Sequence, residues 1–241
     1  MISNNPKSES HENQWLSVSD LMAGLMMVFL CIAVAMVYSV MTERKKITAI
    51  ALSYQENQLA IYQALISSFK DDLDHWGASI SDDTLTIAFQ APDAMFETGK
   101  TQLSEHYQTI LAEFFPRYMT ALQPFTDSIE EIRLEGHTSS GWSSTIQGDH
   151  AYFKNLELSQ ERTQSVLRFV TTLEDVSQYK SWIKHHLAAV GYSSSRPVLD
   201  SQGKEDPLRS KRVAFRVITN SDLKIKNILE GLIKKDVQTT L

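Results

Sequence analysis

The chain changes character abruptly after a polar opening: from Leu21 to Val40, 20 consecutive residues carry no formal charge, and most are large and apolar. A helix over this run is roughly 30 Å long at about 1.5 Å per residue, which matches the hydrocarbon core of a bilayer. The pattern therefore predicts one transmembrane helix over 15–42, preceded by an unstructured polar tail over 1–14. From Glu43 to Trp76 there is neither proline nor glycine, and the composition suits a continuing helix. Within it Leu59, Tyr62, Ile66, Phe69, Leu73 and Trp76 follow one another at spacings of 3 and 4. That is an a/d seam, the pattern on which two helices wind around each other. It predicts a dimeric helical stalk over 43–77; the same stripe also fits packing against a domain of its own chain. Gly77 is placed to cap the end of the helix.

Beyond Gly77 the pattern alternates strand and helix. Thr84–Phe89 alternates as a half-buried strand after the turn residues Asp82 and Asp83. Glu131–Glu135, Leu187–Val190 and Val213–Ile218 are the other strand candidates. Helices are predicted over Leu103–Leu122, bent or interrupted at Pro116, over Leu158–Leu173, opened by Ser159, and over Ser177–His186. This βαβαβ order implies an α+β domain over 78–220, a mixed sheet with helices on one face. Ser221–Lys235 reads as an amphipathic helix with a basic end, closing the chain over 221–241.

With 241 residues there is room for one span and one ordinary folded domain. A net charge of -6 without a long basic run argues against nucleic acid as a partner. The lone cysteine, Cys31, lies in the span and excludes an intrachain disulfide. The apolar run is long for a signal-peptide core and has no A-x-A-like exit, so an uncleaved signal anchor is expected. Arg44, Lys45 and Lys46 follow the span, against Lys7 alone before it. By the positive-inside rule the C-terminal side would be cytoplasmic.

One carboxylate, Asp20, stands where the apolar run begins, about a turn past the interfacial anchor Trp15. An ionised side chain at that depth is costly and marks a functional site; an aspartate there can also cap the helix. Trp15, Ser19, Asp20, Leu21, Met22, Leu25 and Phe29 resemble the W-x-x-x-(S/A)-D-L-M-x-x-L-x-x-x-F signature of the B subunits of ion-driven stators, the flagellar motor B subunit among them. The resemblance implies that Asp20 binds and releases the transported ion, a proton or alternatively sodium, with no other cofactor. Trp15, Ser19, Met22, Leu25 and Phe29 would then support the channel and its interfaces. It also implies a homodimer held by a pentameric, multispanning A subunit in the bacterial inner membrane. The N-terminus would be cytoplasmic and the C-terminal domain periplasmic, the reverse of the charge bias.

The C-terminal domain resembles the OmpA-like peptidoglycan-binding fold across roughly Ile80 to Ile218. Met95-Phe96-Glu97-Thr98-Gly99 with Leu103, Leu134-Glu135-Gly136-His137-Thr138, Asn155-Leu156-Glu157-Leu158-Ser159-Gln160-Glu161-Arg162, Gly191-Tyr192 with Pro197-Val198, and Arg209-Ser210-Lys211-Arg212-Val213 follow the family's motifs in order. The family's ligand is the diaminopimelate of wall peptides, whose side chain carries a carboxylate and an ammonium. An arginine can fork onto the carboxylate and an acid can meet the ammonium. Arg162 falls at the arginine's position, and Asn155, Leu158 and Thr138 at the pocket walls. Where the family has its acid this chain has Ser139, and the segment from Ser139 to Asn155 is longer than usual. Asp149 in that segment is one candidate for the missing acid.

The seven histidines suggest no metal site. His185 and His186 are adjacent and so about 100° apart on a helix, and His137 fits a structural role at a strand end. No serine has a base at a recognisable spacing, and the chain is not expected to be an enzyme. The short acidic N-terminus, the stalk heptads and the altered pocket look most like the B subunits of the Zorya anti-phage defence systems, which are thought to sense envelope disturbance and to activate cytoplasmic effectors. The alternatives are a flagellar motor stator B subunit and a structural OmpA-family peptidoglycan anchor without ion flux.

Overall fold

The computed structural model describes residues 7–90, 95–96, 100–143 and 145–220, with side chains from Val18 onward except Lys46 and Ile50. The expected terminal helix, the segment Glu97–Gly99 and the Trp15 side chain lie outside the described residues. The chain divides into two compact units, Met1–Ser53 and Tyr54–Leu241.

The first unit is helical. Helix α1 (Lys7–Phe69) starts within the segment expected to be an unstructured tail. No proline follows in the sequence until Pro92, so nothing in the sequence breaks the helix through this stretch. The apolar stretch reaches a mean hydropathy of 2.5 with none of it buried. Side chains such as Leu21, Met26, Phe29 and Tyr38 all point outward. A surface this apolar is stable against lipid or other apolar helices, not against water.

The second unit begins inside α1. Ile61, Leu65 and Phe69 are fully buried in the core of their own domain. The expected dimer seam is therefore corrected: Phe69 and Trp76 are core residues, Tyr62 and Leu73 pack on that core, Ile66 is half-buried, and Leu59 remains exposed. The two stripes diverge because the core takes the i, i+4 ridge 61-65-69, whereas the seam followed the 3.5-residue period. Phe69 lies 5.1 Å from Phe114 and 5.9 Å from Trp76, ring centre to ring centre. Arg117 lies over both Phe69 and Trp76 and bonds Asp72 at 2.8 Å. After α2 (Leu73–Trp76), Gly77 turns the chain at a φ of 59°, a left-handed conformation that glycine adopts without strain.

The remaining elements are β1 (Ala78–Ser81), β2 (Thr86–Gln90), α3 (Glu105–Leu122), β3 (Ile129–His137), α4 (Gly148–Thr172), α5 (Lys180–His186), β4 (Leu187–Gly191), α6 (Pro207–Ser210) and β5 (Arg212–Thr219). The sheet order is β1-β2-β5-β3-β4, with β3 and β4 parallel and the other neighbours antiparallel. Ile87, Phe89, Ile132, Leu134, Phe215 and Val217 point into the core. Register places Thr86, Glu131, Arg133, Glu135, His137, Arg212 and Arg216 on the other face.

Three details differ from the sequence reading. Strand β1 was not expected, because Ile80 is its only large apolar residue. Helix α3 runs through Pro116 without a break. Helix α4 starts at Gly148, ten residues earlier than expected, so Ser159 sits buried in mid-helix and does not open it. There its hydroxyl donates to the Leu156 carbonyl at 3.0 Å and accepts from the Ser193 N–H at 3.1 Å.

Candidate functional site

The end of β3 and the first half of α4 are drawn together by missing side chains. A Cβ at Gly136 would stand 2.6 Å from the Ser159 carbonyl oxygen, and one at Gly191 would stand 2.5 Å from the Gln160 nitrogen. Only hydrogen fits at either position, so α4 lies directly on the ends of β3 and β4. This brings Ser139, just past β3, against Asn155 of α4, and Thr138, Ser139, Asn155, Ser159 and Arg162 are all buried. The Asn155 side-chain amide donates to the Ser139 carbonyl at 3.1 Å and to the Gly141 carbonyl at 3.4 Å. The guanidinium of Arg162 lies over the Phe96 ring, 4.7 Å from its centre, and its Nε donates to the Lys100 carbonyl at 3.2 Å. Leu158 is half-buried on the same helix. Thr138 Oγ1 is buried without a hydrogen-bond partner among the described residues.

Asp149 is exposed in the first turn of α4. An acid that the sequence reading missed does reach the segment: Glu205 accepts from the Ser140 N–H at 2.9 Å and from the Ser140 hydroxyl. It comes from the β4–β5 connection, 65 residues away, and no local spacing links it to Ser139.

Beside this segment, on the open face of the sheet, Glu135 and His137 form a buried pair. His137 Nε2 lies 3.1 Å from Glu135 Oε2, and Arg196 Nη1 lies 3.5 Å from Glu135 Oε1. Tyr192 stacks on His137 at 5.3 Å, and Arg196 covers Tyr192 at 3.7 Å. Burial alone pushes the Glu135 carboxyl up, but the His137 hydrogen bond and the charges of His137, Arg196 and Arg216 hold it below its ordinary value. Burial lowers His137, and the nearby Arg212 and Arg196 reinforce this against the opposing pull of Glu135. Both shifts favour the carboxylate form of Glu135 and disfavour the doubly protonated His137, and a hydrogen bond to a carboxylate requires that Nε2 be the donor.

Of the other histidines, His185 Nδ1 pairs with the Ser181 carbonyl and His186 Nδ1 with the Glu130 carbonyl. Among the described residues no group of three or more His, Cys, Asp or Glu could hold a metal ion.

In the first unit Asp20, Ser19, Met22, Leu25 and Phe29 are all exposed on α1. Met22 and Phe29, seven residues apart, share a face, while Asp20 is about 160° round the helix from Met22. Asp20 thus lies on a different side of the helix from Met22 and Phe29, and shares its own side with the exposed Met27.

A glycine-cleared contact between a sheet and a helix bearing N-x-x-L-S-x-x-R defines an OmpA-like domain, and the OmpA family model matches residues 95–211. The chain is 46% identical over 225 residues to Zorya protein ZorB of Escherichia coli, covering 93% of this chain and 96% of that protein. The chain belongs to the ZorB family. Among solved structures, a MotB-like protein from Desulfovibrio vulgaris is 19% identical with a TM-score of 0.44, covering 67% of this chain and 91% of that one. The cell wall anchor of the T6SS from Pseudomonas aeruginosa is 19% identical with a TM-score of 0.45, covering 65% and 97%.

Proposed function

We propose that this chain is the membrane-anchored, wall-binding B subunit of a stator-like complex that serves anti-phage defence. The observation that carries the reading is the 46% identity to Zorya protein ZorB over 93% of the chain, a match long enough to span both the apolar helix and the OmpA-like domain. In this reading α1 crosses the inner membrane once, with its N-terminus cytoplasmic and the OmpA-like domain periplasmic on peptidoglycan. Two copies pair within a pentameric, multispanning A subunit, and cytoplasmic effectors act downstream.

Asp20 carries the ion, a proton in the first instance. Protonation removes a charge that is costly within the membrane boundary, and release to the far side restores it. With the carboxylate on a different side from the Met22–Phe29 stripe, one face of α1 can pack on its twin while the other meets the A subunit. Two such sites filled out of phase let the A subunit step around the pair, and the wall-bound domain keeps the pair from turning with it. At the wall, Arg162 meets the carboxylate of the peptide's diaminopimelate side chain, and Thr138, Ser139, Asn155 and Leu158 shape the pocket.

The test is phage plating on a susceptible host carrying the native gene cluster, comparing wild type with Asp20→Asn at matched protein levels. Asparagine keeps the shape but cannot cycle a proton. Protection by wild type and loss in the variant is the expected result. Equal protection by both eliminates ion cycling at Asp20 and leaves a wall anchor without ion flux.

A further inference from the structure

We infer that Glu205 supplies the acid of the wall-peptide site, in the place Ser139 leaves without one. The inference rests on the wall-binding reading above and names the group that meets the peptide's ammonium. The chemistry requires it: a side chain bearing both a carboxylate and an ammonium leaves one charge unanswered if the pocket offers only Arg162. Three features place Glu205 in that role.

Its carboxylate is already seated on the correct segment. Ser140 donates to it with both its backbone N–H, at 2.9 Å, and its hydroxyl, next to the position where the family has its acid. Asn155 holds the residues on either side of Ser140 by donating to the Ser139 and Gly141 carbonyls, so the segment that Glu205 meets is fixed in place.

The residue is also preorganised. Glu205 bridges Leu199 across a tight hairpin. On one side of it the Lys204 carbonyl accepts from the Asp200 N–H at 2.8 Å, and on the other the Asp206 N–H donates to the Val198 carbonyl at 2.8 Å. The Asp200 carboxylate closes the turn by accepting from the N–H groups of Gln202 and Lys204, and Asp206 caps α6. Backbone held on both sides spends little ordering entropy on binding.

Finally, the carboxylate retains capacity and has an unsatisfied neighbour. Glu205 is only half-buried, and two hydrogen bonds leave acceptor sites open on its oxygens. One residue before Ser139, Thr138 Oγ1 is buried with no partner among the described residues, a group that a ligand's polar atom would satisfy. Asp149 offers none of this, being exposed in the first turn of α4.

The test measures binding of the full chain in detergent to purified diaminopimelate-type sacculi by co-sedimentation, before and after the sacculi's free amines are acetylated. Glu205→Gln keeps an oxygen to accept from Ser140 and loses only the charge. It should bind about tenfold more weakly, and acetylation should weaken wild type but leave the variant unchanged. Asp149→Asn should behave as wild type, and adding Ser139→Asp to Glu205→Gln should recover binding. Wild-type affinity in Glu205→Gln, or equal sensitivity of both proteins to acetylation, overturns the inference while leaving wall binding in place. If wild type and Arg162→Ala both fail to sediment, the wall-binding reading itself falls, and the inference with it.

Discussion

His137 Nε2 lies 3.1 Å from Glu135 Oε2, with both side chains almost wholly withdrawn from water. Both groups titrate below their ordinary values of 6.5 and 4.5 when folded. The unfolded chain therefore takes up protons more readily, so stability is full above the unfolded His137 value and falls as the pH drops beneath it. Glu135 adds its own loss below the ordinary carboxylate range. Urea unfolding of the detergent-solubilised chain should show lower stability at about pH 5 than at about pH 7.5. His137→Gln should lose much of that difference. A variant with an unchanged pH dependence would show that the pair does not set it.

Gly136→Ala tests the contact between β3 and α4. Its Cβ would meet a backbone carbonyl, which cannot rotate away, and also the Thr163 methyl at 2.8 Å. Overpacking of this kind costs about 1–3 kcal/mol, and sacculus binding should weaken with it as Thr138 and Ser139 shift. Gly141→Ala, with nothing within 4 Å, should leave unfolding within about 0.5 kcal/mol of wild type.

Phe69→Ala and Leu59→Ala separate the two readings of the stripe at the end of α1. Phe69 is fully buried and ringed by Phe114 and Trp76, so its truncation should cost about 3–5 kcal/mol of domain stability. Leu59, half exposed at 53%, should cost under about 1 kcal/mol. Urea unfolding decides; equal costs would mean that Leu59 is covered by something outside this chain.

Tyr107 and Tyr118 make the opposite kind of prediction. Their hydroxyls are buried without partners among the described residues, and burial pushes both well above the usual phenol range. Phenylalanine keeps the ring packing and removes a desolvated polar group. Tyr107→Phe or Tyr118→Phe should therefore unfold at equal or higher urea, with a gain of up to about 1 kcal/mol. A loss of stability would point to a bound water serving the hydroxyl.

The strands β2, β3 and β5, which alternate apolar and polar residues, and β4, a short apolar run, were legible in the sequence to within a few residues. β1 was not, since Ala78-Ser79-Ile80-Ser81 carries almost no hydrophobic signal. The early start of α4 was masked by a polar first half, whose buried residues include Asn155 and Ser159. Ser159 resembled an N-cap because serine favours caps, but here its hydroxyl bonds the preceding turn and receives Ser193. Arg162, Asn155 and Thr138 could be found because a motif fixes their spacing. Glu205 could not: its place depends on how the β4–β5 connection folds back onto Ser140, and sequence separation carries no trace of that.

The burial of Ile61, Leu65, Phe69 and Trp76 has a consequence for the domain as a transplantable module. The stretch that defines its family begins at residue 95, yet a piece excised there, or at Gly77, would lack four of the large side chains that fill its interior. The compact unit begins at Tyr54, in mid-helix, so any chimera grafting this domain onto a foreign anchor must carry the last turns of α1 with it to keep that interior filled.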